Sequence, residues 1–183
     1  MDRTLVERAQ GGDRDAYEAL ARASARRLFL TAHRIVRDTD RADDAVQQTL
    51  VAMWRELPSL RDPDRFEAWT YRLVVRFCMA ETRRARRTGV REIPVDESMA
   101  ASSDAFADSD LRDQLERALR NLSSEHRTVV VLHHYAGLPL AEIAEILSVP
   151  YGTVGSRLHH ATRALRAAIA AGERSAVAGG EPA

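Results

Sequence analysis

The stretch that decides the fold is Leu138–Ile169, LPLAEIAEILSVPYGTVGSRLHHATRALRAAI. Apolar residues recur at helical spacing on both sides of the segment 148–152, which predicts two helices joined by a tight turn. Pro150 suits the start of the second helix, because the first helical residues need no N–H donor. The polar face of that helix carries Gly152, Ser156, His159, His160 and Arg163. The pattern predicts a helix-turn-helix, whose second helix fits the major groove of DNA.

The polar face of the second helix has two interpretations. In an αα-hairpin within a bundle, this face would simply be solvated. No acidic residue occurs between Pro150 and Gly172, whereas Arg157, Arg163 and Arg166 do. A helix with this charge pattern favours DNA binding over the hairpin interpretation.

Composition predicts an all-α protein, and the length suits one domain of ordinary size or two small helical domains. The chain has 183 residues with few glycines and prolines, and alanine, leucine and arginine are abundant. The net charge is zero, so the chain as a whole does not attract a polyanion. The charge is nevertheless segregated: the segment 72–91 holds seven arginines and one acid, and the segment 92–116 holds eight acids and one arginine. Local fields of this kind decide whether nucleic acid binds.

Several classes of protein are disfavoured. Cys78 is the single cysteine, so we expect a buried thiol, with no internal disulfide. We find no Gly-rich phosphate loop and no nucleophile–base arrangement, so we expect neither an enzyme nor a cofactor. His126, His133 and His134 suggest a metal site, but we favour structural histidines, because no cysteine or acidic cluster completes a site. We find no bilayer-spanning run and no signal-peptide core, which predicts a cytoplasmic protein without membrane insertion.

The N-terminal half reads as a helical bundle with two distinctive faces. Helices are predicted over about 14–36, 41–57 and 65–87, after a short helix ending at Gly11–Gly12. On the 41–57 helix, apolar Val51 lies among polar neighbours, which indicates a partner surface only weakly. The 65–87 helix carries a narrow arginine stripe, with Trp69 at its edge. The stripe consists of Arg65, Arg72, Arg76 and Arg83. Such a stripe suits backbone phosphates with a base stacked on the indole, and a solvated basic face with Trp69 half-buried in the core fits equally well.

The segment 88–108 lacks periodicity and reads as a flexible acidic linker. It could lie along a basic groove as a decoy for nucleic acid, or serve as a solubilising tether. Further helices follow over about 111–122 and from a Ser123 cap to Gly137, and the residues after Gly172 are predicted to be frayed. We therefore expect domains over 1–91 and 109–172, a flexible linker over 92–108 and a disordered tail over 173–183.

Three blocks in this order resemble the extracytoplasmic-function (ECF) sigma factors of the sigma-70 family. DDAVQQTL at 43–50 with Trp54 resembles region 2.2, and FEAWTYRL at 66–73 with RRARR at 83–87 resembles regions 2.3 and 2.4. AEIA at 141–144, with GTV at 152–154 and SRL at 156–158, resembles region 4.2. The resemblance covers nearly the whole chain. It implies a sigma factor that directs promoter-specific initiation; a stand-alone helix-turn-helix regulator is the alternative.

The resemblance also implies partners and contact residues. The partners are promoter DNA and core RNA polymerase, through its β′ clamp and β flap, and an anti-sigma factor is the usual regulator of the group. The residues implied to bind core polymerase are Asp43, Asp44, Gln47, Val51 and Trp54. Those implied to contact the −10 element are Arg65, Phe66, Trp69, Arg72, Arg76 and Arg83, and the loop 60–65 offers a place for a flipped base. Those implied to contact the −35 element are Thr153, Ser156, Arg157, His159, His160 and Arg163.

Some positions depart from the family pattern. Gln48 stands where an acid is usual, which is expected to weaken or retune clamp binding. Phe77 replaces a usual Asn and Glu81 a usual Asp, so no single-strand contact is carried onto either. Gly155 replaces a common basic residue, and His159 and His160 occupy positions that are often aromatic and basic.

Overall fold

The structure, a computed structural model, describes residues 2–88 and 115–178, and these residues form an all-α fold. The elements are α1 (Arg3–Gln10), α2 (Arg14–Val36), α3 (Thr39–Glu56), two short 3₁₀ turns (Leu57–Ser59 and Pro63–Arg65), α4 (Phe66–Thr88), α5 (helical residues 115–120), α6 (Ser124–Val130) continued by a π-helical turn (Val131–Tyr135), α7 (Leu140–Leu147) and α8 (Tyr151–Ala178).

Polar side chains cap the helices where the sequence predicts their starts. The Asp13 carboxylate accepts from the Ala16 N–H at 3.0 Å, and the Ser123 hydroxyl accepts from the His126 N–H at 3.3 Å. Asp38 caps α3, which therefore begins at Thr39, two residues earlier than the hydrophobic pattern suggests. These caps satisfy N–H groups that the first helical turn leaves without intrahelical partners.

The predicted tail is wrong over 173–178, because α8 continues to Ala178. Alanines on both sides of Gly172 favour helix strongly enough to carry the helix through one glycine, which costs about 1 kcal/mol. The predicted linker, 92–108, lies outside the described residues.

Helices α1–α4 enclose the core of the N-terminal domain. Leu20, Leu28, Met53, Phe66 and Val74 are fully buried in it. Cys78 is also buried, as predicted, and burial raises the pKa of its thiol to about 12. The thiol is therefore protonated at neutral pH and chemically quiet.

The C-terminal domain contains the predicted helix-turn-helix. Ile143 of α7 and Val154 of α8 are fully buried in the same apolar cluster, so the apolar faces of the two helices meet. The turn between them depends on Ser148, which has the left-handed φ of 53° that ends α7. Gly137 has a φ of 71° and ends the preceding helical segment, as the sequence predicts.

The two domains pack directly against each other. One continuous apolar cluster contains residues of α1–α4 together with Leu132, Ile143 and Ile146. At one end of the interface, Arg37 forms an ion pair with Glu116. Elsewhere the Arg34 guanidinium lies 3.8 Å from the centre of the Tyr135 ring, and Arg86 and Ser124 form the hydrogen bond of 3.0 Å that joins α4 to α6.

Of the helices within the described residues, none is both long enough and apolar enough to cross a bilayer.

Candidate nucleic-acid interface

The solvent face of α8 brings together most of the residues predicted to read duplex DNA. Ser156, His159, His160 and Arg163 are exposed, and they lie opposite the side that buries Val154 and Ala161. Thr153 and Arg157 are half-buried at the flanks of this face. The helix thus presents hydroxyl, imidazole and guanidinium groups outward, which can bond to base edges and phosphates.

The histidines lie in pairs. The rings of His159 and His160 are 5.7 Å apart, and the His160 ring lies 6.4 Å from that of His126. Within the described residues, no three His, Cys, Asp or Glu side chains are grouped so that they could hold a metal ion. His133 contacts the Leu138 carbonyl at 3.0 Å, which ties the π-helical turn to the start of the helix-turn-helix.

A mixed polar and apolar face runs along α3. Asp43, Asp44 and Gln47 are exposed, and Val51 and Trp54 are 50% and 47% exposed. Trp54 is held in place by Tyr17, whose ring meets the indole edge-on with centroids 4.8 Å apart. The Tyr17 hydroxyl in turn donates to the Leu50 carbonyl at 2.6 Å. An exposed, oriented tryptophan beside an exposed valine is typical of a protein-binding surface.

Two positions that depart from the family pattern contact each other. The Gln48 side-chain amide donates to the Glu81 carboxylate at 3.2 Å, although 33 residues separate them. Glu81 is buried at the contact between α3 and α4. An acid at position 48 would face this carboxylate with a like charge, whereas the neutral amide of Gln48 satisfies it. Gln48 thus has a structural contact of its own.

The arginine stripe of α4 is exposed, and two of its members pair with acids. Arg76 lies 2.8 Å from Glu56, and Arg65 lies 2.5 Å from Glu145 of α7. Within the described part of the chain, Arg72 and Arg83 have no ion-pair partner. The stripe therefore presents two guanidinium groups with an ion pair and two without one in this part of the chain; three of the four lie on α4, and Arg65 lies in the 3₁₀ turn before it.

Trp69 and Phe66 occupy different environments at the start of α4. Trp69 is half-buried, as the interpretation of a solvated arginine face expects, and its stacking with a base stays a prediction. Phe66 is fully buried, and its ring lies 6.0 Å from that of Trp69. The expectation that Phe66 contacts −10 DNA is wrong for this structure, since a buried ring offers no surface to a base. Phe66 instead supports the tryptophan from the core.

The loop before α4 is held by the N-terminal helix. The Gln10 side-chain amide donates to the carbonyls of Leu57 and Leu60, at 3.2 and 2.6 Å. Arg3 also pairs with Asp64, at 2.7 Å. This role of α1 has no signal in the sequence, because a glutamine 47 residues before the loop belongs to no local pattern.

A groove separates the start of α4 from α7, and it encloses a cavity of about 110 Å³. One wall carries Arg65, Trp69 and Arg72, and the other carries Glu142, Glu145 and Ile146. Three residues predicted to contact −10 DNA therefore face the first helix of the helix-turn-helix. Nothing in the sequence predicts a contact of Glu145 or Ile146 outside their own domain.

The fold defines a two-domain helical protein with a C-terminal helix-turn-helix. Comparison with protein-family models identifies the class of protein. Residues 20–88 match the model of Sigma-70 region 2, and residues 112–165 match that of Sigma-70, region 4. The ECF RNA polymerase sigma factor SigL of Mycobacterium tuberculosis is 34% identical over 149 residues, covering 76% of this chain and 80% of SigL. The RNA polymerase sigma-H factor of Pseudomonas aeruginosa is 28% identical over 187 residues, covering 92% and 94%.

Solved structures show the same architecture. CnrH, in complex with the cytosolic domain of CnrY, has a TM-score of 0.69 at 26% identity, covering 93% of this chain and 97% of that one. The sigma factor RpoE of Bartonella quintana, solved with the anti-sigma factor NepR, has a TM-score of 0.68 at 22% identity, covering 84% and 96%. The chain therefore belongs to the ECF sigma factors of the sigma-70 family. It is a transcription-initiation factor that directs RNA polymerase to promoters, as its sequence motifs imply.

Proposed function

We propose that this sigma factor uses three separate surfaces, on α3, α4 and α8, for polymerase, melted DNA and duplex DNA. Residues 1–91 and 109–172 would act as the two functional units. The observation that carries the proposal is the arrangement of α8, where Ser156, His159, His160 and Arg163 are exposed on one face. The opposite face packs into the domain through the fully buried Val154 and Ala161, so the outward side chains are available for recognition.

The α8 face reads the −35 element in the major groove. His159, His160, Ser156 and Arg163 reach base edges, and Arg157 and the N–H groups near Thr153 hold phosphate from the flank. Each good side-chain contact to a base edge discriminates by about 1–3 kcal/mol. Base contacts on this face therefore set promoter choice.

The α4 stripe and the preceding loop hold the opened −10 element. Arg72, Arg76 and Arg83 grip the backbone, Arg65 lies at the entrance, and a base stacks on Trp69. The loop 60–65 receives a flipped base, with α1 fixing its shape. Flipping a base costs a few kcal/mol, so polymerase must share the work of opening.

The α3 face docks on the β′ clamp of core RNA polymerase through Asp43, Asp44, Gln47, Val51 and Trp54, and the C-terminal domain contacts the β flap. Trp54 is the expected anchor, since tryptophan is enriched among residues that dominate binding energy. An anti-sigma factor is a further proposed partner, supported by the RpoE–NepR complex among the structural relatives. Because core polymerase and promoters share the bacterial cytoplasm, we place the protein there, and we assign it no catalytic chemistry.

The assignment is tested by Arg163→Ala, with Arg117→Ala as the matched control. Both arginines are exposed in the C-terminal domain, but Arg117 lies on α5, away from the α8 face. The wild-type holoenzyme first selects promoters from a genomic library by run-off transcription. We expect R163A to lose about 10-fold or more in initiation at those promoters while binding core polymerase normally. Equal promoter use by R163A and R117A would refute the −35 assignment.

A further inference from the structure

A group of three imidazoles extends from the outward face of α8 onto the neighbouring helix α6. The ring centres of His159 and His160 on α8 are 5.7 Å apart, and the ring centre of His126 on α6 lies 6.4 Å from that of His160. One apolar cluster joins the two helices and includes Val130 of α6 and the fully buried Ala161 of α8. Packing therefore fixes His126 beside the recognition helix, although His126 belongs to another element.

The position of His160 shows which edge of the α8 face His126 adjoins. Successive helical residues turn by about 100°, so His160 lies about 60° from Arg163 in one direction and about 60° from Arg157 in the other. Arg163 is exposed at the centre of the face, whereas Arg157 is half-buried at its flank. Because α6 packs on the buried side of α8, His126 adjoins the flank on which Arg157 is proposed to hold phosphate.

A serine orients the His126 ring. The Nδ1 atom of His126 lies 3.1 Å from the Ser123 hydroxyl, which also accepts from the His126 backbone N–H at 3.3 Å. Nε2 carries a proton both in the tautomer whose Nδ1 accepts from Ser123 and in the charged ring, so it can donate to a phosphate oxygen. The side chain is half-buried, so the ring loses little freedom when it binds.

The acidic neighbour of His126 is engaged at the start of α6. The backbone N–H of Glu125 lowers the pKa of its own carboxyl most, and the Ser123 hydroxyl and the positive charge of Arg86 lower it further. The negative charge of Glu125 is therefore partly balanced within the protein. It opposes a nearby phosphate less than a free carboxylate would.

We propose that His126 is a DNA contact outside the helix-turn-helix, which binds a backbone phosphate of the promoter duplex beside the base edges that His160 reaches. This contact rests on the proposed function, because it assumes that α8 lies in the major groove of the −35 element. A phosphate contact positions the domain without reading sequence. His126 therefore strengthens binding to different promoters by the same factor, while the side chains of α8 discriminate between them.

The test measures promoter binding by the holoenzyme, assembled from core polymerase and each full-length variant. Two DNA fragments are compared: a promoter selected by the wild-type holoenzyme, and the same fragment with a substituted −35 element. We expect His126→Ala to weaken binding to both fragments by the same factor, about 2- to 10-fold, which is the range for one hydrogen bond. Arg117→Ala, at an exposed position of α5, is the control and should leave both affinities unchanged.

His126→Arg distinguishes a phosphate contact from a structural role. The arginine keeps a donor at this position and adds a permanent charge, so it should bind both fragments at least as tightly as the wild type. The slope of log affinity against log salt concentration should become steeper by up to about 0.9, the value for one further neutralised phosphate. A purely structural role of His126 would leave this slope unchanged. Circular dichroism and Tm check that both variants fold.

Three results would overturn the His126 contact. They are equal affinities of H126A and the wild type for both fragments, a loss in H126A that is confined to the selected −35 element, and an unchanged salt slope in H126R. Arg163→Ala, measured in the same assay, tests the function on which the contact rests. If R163A discriminates between the fragments as well as the wild type does, the −35 face and the His126 contact are both refuted. If R163A loses discrimination while H126A matches the wild type, only the His126 contact is refuted.

Discussion

Replacing Gln48 by glutamate tests the contact between α3 and α4 directly. The Gln48 amide donates to the buried Glu81 carboxylate at 3.2 Å. The substitution keeps the shape of the side chain but exchanges a donor for a second carboxylate. We expect Gln48→Glu to destabilise the protein at pH 7, even though glutamate is the type of residue that the family pattern favours there.

The magnitude follows from Coulomb's law and the lost hydrogen bond. Two unit charges about 4 Å apart repel by about 1 kcal/mol in water and about 4 kcal/mol at the effective dielectric constant of a protein surface. Gln48 is exposed and Glu81 is buried, so a repulsion of about 2 kcal/mol is reasonable. The lost hydrogen bond adds about 1 kcal/mol. For a chain of this size, a total of about 3 kcal/mol lowers Tm by about 6–12 °C.

The assay compares the Tm of Gln48→Glu with that of Gln47→Glu, which is the control. Gln47 is the neighbouring exposed residue, and a surface substitution there should stay within about 0.5 kcal/mol. Equal Tm values for Q48E and Q47E at pH 7 would refute the reasoning.

Four further outcomes are expected. Trp54→Ala should weaken binding to core polymerase by at least about 30-fold, as for an interface anchor worth 2 kcal/mol, with unchanged circular dichroism; competitive holoenzyme assembly measures it. Ser148→Gly should raise stability by about 0.5–1 kcal/mol in urea unfolding, because glycine adopts the left-handed φ without strain. In the folded protein, burial lowers the pKa of the His33 side chain most, and the positive charge of Arg37 lowers it further. His33 therefore binds a proton more readily in the unfolded chain. Stability should therefore fall as the pH drops below about 6.5, and His33→Gln should flatten that dependence in denaturant titrations. Cys78 should not react with a thiol reagent at pH 8 in the native protein, and should react fully in guanidinium.

Local signals predicted most of the helices of this fold. The Asp13 and Ser123 caps, the glycine stop at Gly137 and the 3.6-residue apolar repeat each act over one or two turns, so they can be read from neighbouring residues. The outward face of α8 follows from the same repeat. Its predicted DNA contacts stay a prediction, since helical periodicity says which side is outside and nothing about what binds there.

Contacts between distant residues could not be predicted in this way. The pair of Gln48 with Glu81, and that of Arg65 with Glu145, each depend on how two helices cross. The burial of Phe66 likewise depends on the packing of the whole bundle, whereas the family resemblance placed it among the DNA contacts. Ile146 shows the same limit, because its apolar character could be satisfied within its own domain or by the neighbouring one.

Helix α1 has a practical implication for experiments on this protein. It lies before residue 20, where the match to the region 2 model begins, yet Gln10 and Arg3 fix the loop between α3 and α4. A truncation guided by the family match alone would remove both residues and their contacts with this loop. A fusion at the carboxyl end, after α8, leaves α1 and its contacts intact.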